Sequence, residues 1–166
     1  MSADDARDDA GSLRWGVKES FVRYVLVVAR GTLSTAGEAR VEDDFAFVFP
    51  LRAADRHDDT WRLRFAGTVA FEAHNGFLSV LLPNPELEVS PHGGLLSLET
   101  DSGARRMPLA TLDAAEPDEA DGDLVWRFPA PRLTPEGSEL FGTTYAPGTE
   151  LAPLTVRVGA AVTRRA

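Results

Sequence analysis

Tyr24, His74 and Tyr145 are the side chains on which a chemical reading of this sequence turns. Tyr24 lies in Trp15-Gly16-Val17-Lys18-Glu19-Ser20-Phe21-Val22-Arg23-Tyr24-Val25, a short amphipathic stretch. Residues three and four apart share a helical face, so Ser20, Phe21, Tyr24 and Val28 make one stripe, with Lys18, Arg23 and Arg30 mostly elsewhere. A phenol in such a stripe is either a core aromatic that finds a hydrogen-bond partner or a ligand for something the chain does not contain. His74 opens the turn of Ala73-His74-Asn75-Gly76-Phe77-Leu78. Asn-Gly between two alternating runs is the signature of a type I′ hairpin, because both central residues need positive φ. His74 then pairs with Phe77 and Ala73 with Leu78. Such a histidine is either a hairpin-tip residue bonded to backbone or a functional imidazole. Tyr145 follows in the loop Gly142-Thr143-Thr144-Tyr145-Ala146-Pro147-Gly148, as a lid or as filling for a gap.

Other chemistries find little support. The absence of cysteine excludes disulfides, thiolate metal sites and a cysteine nucleophile. There is no Gly-x-Ser-x-Gly, no His-x-x-x-His and no EF-hand spacing. His57, His74 and His92 are too scattered to suggest a zinc site, and His57 and His92 read as surface residues. Gly93-Gly94 opens no helix and so cradles no phosphate. Asp43-Asp44 and Asp58-Asp59 fall in loops, away from the apolar surroundings that raise a carboxyl pKa.

Seventeen basic residues against 26 acidic ones give a net charge of −9, without a basic stripe. That disfavours nucleic acid and anionic membrane surfaces as partners. The N-terminus is acidic and lacks the apolar core of a signal peptide. No run approaches the roughly 18 apolar residues of a spanning helix. The expectation is a cytoplasmic chain without membrane insertion, or else the mature or truncated form of an exported one.

The elements that must position these residues are mostly strands. Residues 1–12 read as an acidic tail, 13–160 as one domain and 161–166 as a second tail. A helix is expected from about Val17 to Ala29, stopped by Gly31 at C′, although Val25-Leu26-Val27-Val28 is β-branched enough to run on as a strand. From Val41 the period becomes two. Phe45, Phe47 and Phe49 alternate until Pro50 stops the run; Trp61, Leu63 and Phe65 repeat the pattern, as do Val69, Phe71 and Ala73. Further strands are expected at Phe77–Leu82, Leu87–Val89, Leu95–Leu98, Leu124–Phe128 and Leu154–Val158, with long solvated loops at 50–60 and 113–123. Thr134 as N-cap, Pro135 at N1 and Gly142 at the end mark a short second helix. The fold class is mainly β: an antiparallel sandwich or barrel-like domain with an N-terminal helix and one short helix in the C-terminal half.

In the 68–82 hairpin, Val69, Phe71, Ala73, Leu78, Val80 and Leu82 form the core face. The opposite face carries Phe77 and Leu81 among Thr68, Ala70, Glu72, His74 and Ser79. This unmatched apolar surface predicts that the N-terminal helix covers it and brings Tyr24 towards His74.

Four ordered blocks together resemble the HtaA domain, the haem-transport-associated family. The first is the Trp15–Val25 stretch. The second runs from Phe65-Ala66-Gly67-Thr68-Val69-Ala70-Phe71 to Glu72-Ala73-His74-Asn75-Gly76-Phe77-Leu78 and is similar to "F-x-G-x-V-x-F-x-x-H-x-G-x-L". The third is Asn84-Pro85-Glu86-Leu87. The fourth, Leu133-Thr134-Pro135-Glu136-Gly137-Ser138-Glu139-Leu140-Phe141-Gly142-Thr143-Thr144-Tyr145, is similar to "L-T-x-E-G-x-x-x-F-x-x-x-Y". The likeness spans about residues 13 to 158.

The resemblance implies a ferric haem b cofactor, with Tyr24 as the axial ligand to iron, His74 hydrogen-bonded to that tyrosine, and Tyr145 lining the pocket. A phenolate is a hard anion that suits ferric iron, and a neutral histidine donating to it tunes its basicity. Phe21, Val28, Phe77 and Leu81 are expected as apolar walls; Ser20, Arg23, Thr143 and Thr144 are within reach of the propionates. The implied role is haem transport, transfer or buffering without catalysis, with haem and a haem donor or acceptor protein as partners. The family's members are usually exported or anchored and often carry the domain repeated, whereas one copy is present here. Two alternatives stay open: a β-sandwich interaction module in which Tyr24 and His74 only pack, and a haem-dependent enzyme.

Overall fold

Strand β1 (Gly11–Trp15) starts two residues inside the stretch expected to be a tail, and it lies at the middle of the larger sheet. The computed structural model describes residues 10–100 and 105–164, so most of that expected tail lies outside the described residues. Alternation in Gly-Ser-Leu-Arg-Trp buries Leu13 and Trp15 and leaves Ser12 and Arg14 half-buried. A helical segment, α1 (Glu19–Arg23), is continued by a π-helical turn over Tyr24–Val28. Thereafter come β2 (Thr32–Ala36), β3 (Arg40–Val41), β4 (Phe47–His57), β5 (Thr60–Phe65), β6 (Thr68–Ala73), β7 (Leu78–Pro83), β8 (Glu86–Ser90) and β9 (Gly93–Thr100). The chain ends with β10 (Arg105–Leu112), β11 (Asp118–Ala120), β12 (Asp123–Phe128), β13 (Arg132–Leu133), α2 (Pro135–Leu140), β14 (Leu154–Val158) and α3 (Ala160–Thr163).

All strand pairings are antiparallel. The larger sheet has the order β11-β12-β14-β1-β4-β5-β8-β9-β10-β13, with β3 paired to β4, and β2-β6-β7 form a separate sheet of three. The larger sheet is strongly curled. Strands β12 and β5 are four positions apart in it, a separation of roughly 19 Å if the sheet were flat. Instead the rings of Trp126 on β12 and Trp61 on β5 meet with centroids 5.8 Å apart. The small sheet closes over this curl: Phe71 of β6 meets Phe47 of β4 at 5.7 Å and Phe21 of α1 at 5.0 Å. The expected barrel-like antiparallel architecture is therefore present as a half-barrel with a small sheet against it.

Several expectations need correction. Pro50 does not stop a strand: β4 continues through it to His57, because Pro50 sits opposite Ser12 beside a register shift between Leu51 and Ala53, where a missing N–H is tolerated. The expected loop at 50–60 is part of the β4–β5 hairpin: Leu51 stays in the core, residues 55–59 are exposed, and Asp58 at φ 57° closes the turn. Phe45 is no strand residue; it is half-exposed in a turn at φ 58°. Part of the 113–123 loop is also paired, with β11 folding back on β12 through Asp121-Gly122, both in the left-handed region. The second helix forms as expected, with the Thr134 hydroxyl accepting from the Gly137 N–H at 2.9 Å and Gly142 closing it at φ 74°.

The first helix is shorter and differently closed than the periodicity suggests. Val17, at φ 64°, turns the chain sharply out of β1, a strained conformation for a β-branched residue, and its carbonyl accepts from the Ala152 N–H at 2.9 Å. At the other end Arg30, not Gly31, takes the left-handed stop, at φ 51°. Gly31 is required for a different reason: a Cβ there would lie 2.1 Å from the Glu72 carbonyl oxygen of β6. No helix among the described residues is long and apolar enough to cross a membrane.

That close approach yields a direct check. Gly31→Ala forces the end of the helical segment away from β6 and is expected to lower the unfolding free energy by about 2 kcal/mol. Urea denaturation measures it, and an unchanged midpoint would show that the two elements are not held against each other here.

Candidate functional site

The helical segment and the β6–β7 turn bring one phenol and one imidazole into contact from 50 residues apart in sequence. Tyr24 Oη lies 2.8 Å from His74 Nε2, with the rings inclined at 51° and their centroids 6.1 Å apart. Each side chain is delivered by an unusual piece of backbone.

On the helical side, Phe21, Val22 and Val25 face the core. The ladder then widens: the Ala29 N–H donates to the Tyr24 carbonyl at 2.8 Å, five residues back rather than four. The crowded run Val25-Leu26-Val27-Val28 occupies this π turn, a feature that recurs at functional sites. One consequence is that the expected stripe is split. Phe21 is buried, whereas Ser20, Tyr24 and Val28 are exposed, Tyr24 at 38%.

On the hairpin side, the ladder ends at Ala73 opposite Leu78, as expected, but His74 and Phe77 do not continue it. His74 at φ 56°, Asn75 at φ 56° and Gly76 at φ 89° are three successive left-handed residues, closed by the Phe77 N–H donating to the His74 carbonyl at 3.1 Å. Asn75 (φ 56°, ψ 37°) and Gly76 thus take the two positive-φ positions expected of a type I′ turn; the departure is at His74, whose own left-handed backbone ends the ladder one pair early. Left-handed backbone at a histidine costs about 1 kcal/mol, and such strain persists where the surrounding structure imposes it.

The route by which the two meet differs from the one expected. The helical segment packs on the inner face of the small sheet, through Phe21 against Phe71, and does not cover the outer face. Phe77 remains 93% exposed and Leu81 51%. Tyr24 reaches His74 around the end of the hairpin.

The remaining candidates fall into two groups. Tyr145 is half-buried against Phe21 at 6.4 Å and Phe141 at 6.1 Å, and its carbonyl accepts from the Ser138 hydroxyl. Phe21, 2% exposed, is a core residue joining Tyr145 to the small sheet and presents no surface to a ligand. Ser20 stands exposed one turn before Tyr24, and Thr143 and Thr144 are exposed beside Tyr145. Arg23 points away: with Val22, Leu26 and Val27 it borders a groove of about 570 Å³ on the other flank of the helix, opposite Phe45 and Asp44. Sequence reasoning passed over Lys18, whose ammonium lies 5.3 Å from the Tyr145 ring centre and donates to the Glu150 carbonyl at 3.2 Å. Its spacing from Tyr24 puts it off the helical stripe, so only the fold reveals this neighbour.

Electrostatic perturbation lies elsewhere. The Asp44 carboxyl is held below its ordinary range, chiefly by the Ala46 N–H with Arg14 adding to it, and burial lowers Arg106 beside Glu86. Among the described residues no cluster of three or more His, Cys, Asp or Glu side chains suits a bare metal ion.

With a neutral phenol, Tyr24 donates to an unprotonated His74 Nε2. With a phenolate, Nε2–H donates to the oxygen. The same contact thus serves both protonation states.

The comparisons with known proteins bear on this arrangement. A family model described as Htaa, for HtaA, matches residues 10–157. The chain belongs to the HtaA family. Among solved structures, the C-terminal domain of HtaA from Corynebacterium glutamicum superimposes with a TM-score of 0.75 at 24% identity, covering 89% of this chain and 94% of that one. The N-terminal domain of the same HtaA gives 0.73 at 21% identity, over 90% and 96%. Heme binding protein HtaB from Corynebacterium glutamicum gives 0.68 at 20% identity, over 89% and 91%. These likenesses establish the HtaA fold. No functionally curated protein matches the sequence.

A stability measurement separates a working site from a structural prop. In His74→Gly the relief of left-handed strain offsets the loss of one exposed hydrogen bond, so unfolding free energy is expected to stay within about 1 kcal/mol of the parent. His74→Val, β-branched in the same conformation, is expected to lose about 2 kcal/mol. A large loss in His74→Gly would identify the Tyr24 contact as a pillar of the fold.

Proposed function

We propose that this HtaA-family chain binds ferric haem b and serves haem transport, transfer or buffering without catalysis. The single observation that carries the reading is the 2.8 Å contact between the Tyr24 hydroxyl and His74 Nε2 at an exposed, apolar-rimmed edge. Membership of the family and the fold shared with a protein described as heme-binding support it.

The residues present suit the group. Tyr24 offers a hard oxygen donor, and cysteine, the soft competitor, is absent. Phe77, Leu81 and Val28 supply exposed apolar surface close to the pair in sequence or sheet, which a flat apolar macrocycle would cover. Bound haem would supply a ferric iron acting as a Lewis acid towards the Tyr24 oxygen.

The chain's own chemistry is a proton movement at one atom. With haem bound, the Tyr24 O–H proton would pass to His74 Nε2, and the Nδ1 proton of the same ring would leave to water. Nε2–H then donates to the phenolate and limits its charge, as partners of metal ligands do. Return of the proton to Tyr24 removes the anionic donor and favours release, which suits a carrier. Tyr145, fixed by Phe21, Phe141 and Ser138, is assigned to the pocket rim; Phe21 acts beneath it as a strut. Ser20, Thr143 and Thr144, with Lys18 beside Tyr145, are the polar groups assigned to the propionates.

Titration of purified protein with haemin, followed in the Soret region, tests this. Tyr24→Ala is expected to lose tight binding, by a factor on the order of a hundred or more, while His74→Ala weakens binding less and shifts the visible spectrum. Parent-like binding by Tyr24→Ala would refute the ligand assignment. Absence of any haem spectrum in the parent protein would favour an interaction module instead.

A further inference from the structure

Strand β2 runs Thr32-Leu33-Ser34-Thr35-Ala36 along one edge of the small sheet, and among the described residues it is laddered only to β6. All its side chains but Leu33 are exposed. Proteins usually guard such an edge with a charge, a proline, a bulge or extreme shortness. The other sheet ends here do so. Strand β11 is three residues long and carries Asp118, ion-paired to Arg127 at 3.0 Å. Strand β13 has two residues and lies between Pro131 and Pro135. Strand β7 ends in Pro83, and the next residue, Asn84, is hydrogen-bonded to Glu99 of β9. By contrast β2 has no charge and no proline, and its register with β6 is uninterrupted from Thr32 to Ala36.

The charges stand just outside it. Arg30 is two residues before β2 and Glu38 two residues after it, both exposed. Among the described residues neither has an ion pair or a side-chain hydrogen bond. An antiparallel pairing of β2 with itself, centred on Ser34, places Thr32 opposite Ala36, Leu33 opposite Thr35, and Arg30 of each copy towards Glu38 of the other. A parallel pairing would instead set Arg30 against Arg30 and Glu38 against Glu38.

We propose that β2 is a dimerisation edge at which a second copy of this chain adds antiparallel about a two-fold axis through Ser34. The two sheets of three then join into one continuous sheet of six strands. Open N–H and C=O groups supply the attraction, while the two symmetric Arg30–Glu38 contacts select the antiparallel register. This edge is distinct from the Tyr24–His74 contact, and the proposal does not depend on haem.

Sedimentation velocity over a concentration series of the full chain, at low and high salt, tests it. The parent is expected to show a monomer–dimer equilibrium that weakens with salt. Arg30→Glu and Glu38→Arg are each expected to raise the dimer dissociation constant about tenfold, since both symmetric contacts turn from attractive to repulsive. Combining the two reversals restores opposite charges and is expected to return the constant to within about threefold of the parent. Ser34→Lys, which sets two lysines at the axis, is expected to be monomeric with an unchanged circular dichroism spectrum. A parent that stays monomeric throughout overturns the proposal, as does a dimer indifferent to Ser34→Lys and to both charge reversals.

Discussion

The hydrogen bond between Tyr24 and His74 constrains much of what surrounds it. For a helical phenol to meet a hairpin imidazole, the helical segment must approach the end of β6 closely, and Gly31 permits this by leaving room for the Glu72 carbonyl. The phenol must also leave the core face without dragging Val25 out, which the π turn allows by widening the ladder after Tyr24. The imidazole must point back along the sheet, which needs a left-handed residue at position 74. One close approach and two local departures from ideal backbone thus converge on one contact. Clustering of departures at one place is how functional sites commonly differ from the frame that holds them.

The frame itself is conventional. A curled antiparallel sheet, closed by Trp61 against Trp126, gives a stiff wall on which β1 lies centrally. Since α1 follows β1 after only the Gly16-Val17-Lys18 bend, its direction is set by the middle of the sheet. Phe21 then ties it to Phe71, Phe141 and, less closely, Tyr145. The residues assigned to the ligand are therefore carried by elements whose own packing is complete without one. Tyr24 and Phe77 are the large side chains left facing outwards beside His74.

Much of this was legible in the sequence where one physical signal dominated. Alternation marked β5, β6 and β14, because each has one wet face; the cap chemistry of Thr134, Pro135 and Gly142 marked α2. Strand β2 was not legible, because Thr-Leu-Ser-Thr-Ala buries almost nothing and its partner is set by the tertiary fold. Strand β10 was hidden by Pro108 and the register shift beside it. Pro50 misled for the same reason: a proline at an irregular ladder position does not end a strand. The unmatched apolar surface at Phe77 and Leu81 points to an approach of Tyr24 to His74, but that surface stays open and the approach is made from the inner face of the small sheet. Arg30 and Lys18 owe their positions to a left-handed stop and to the sharp turn at Val17, neither of which periodicity can show.

The claim that Tyr24 holds ferric iron is tested most directly by resonance Raman spectroscopy of the haemin-loaded protein carrying ring-labelled tyrosine. The sequence has two tyrosines, so the spectrum has only Tyr24 and Tyr145 to distinguish. Enhanced phenolate modes that move with the label, persist in Tyr145→Phe and vanish in Tyr24→Phe are the predicted result. A spectrum with no tyrosine mode, or one whose phenolate modes survive in Tyr24→Phe, would contradict it.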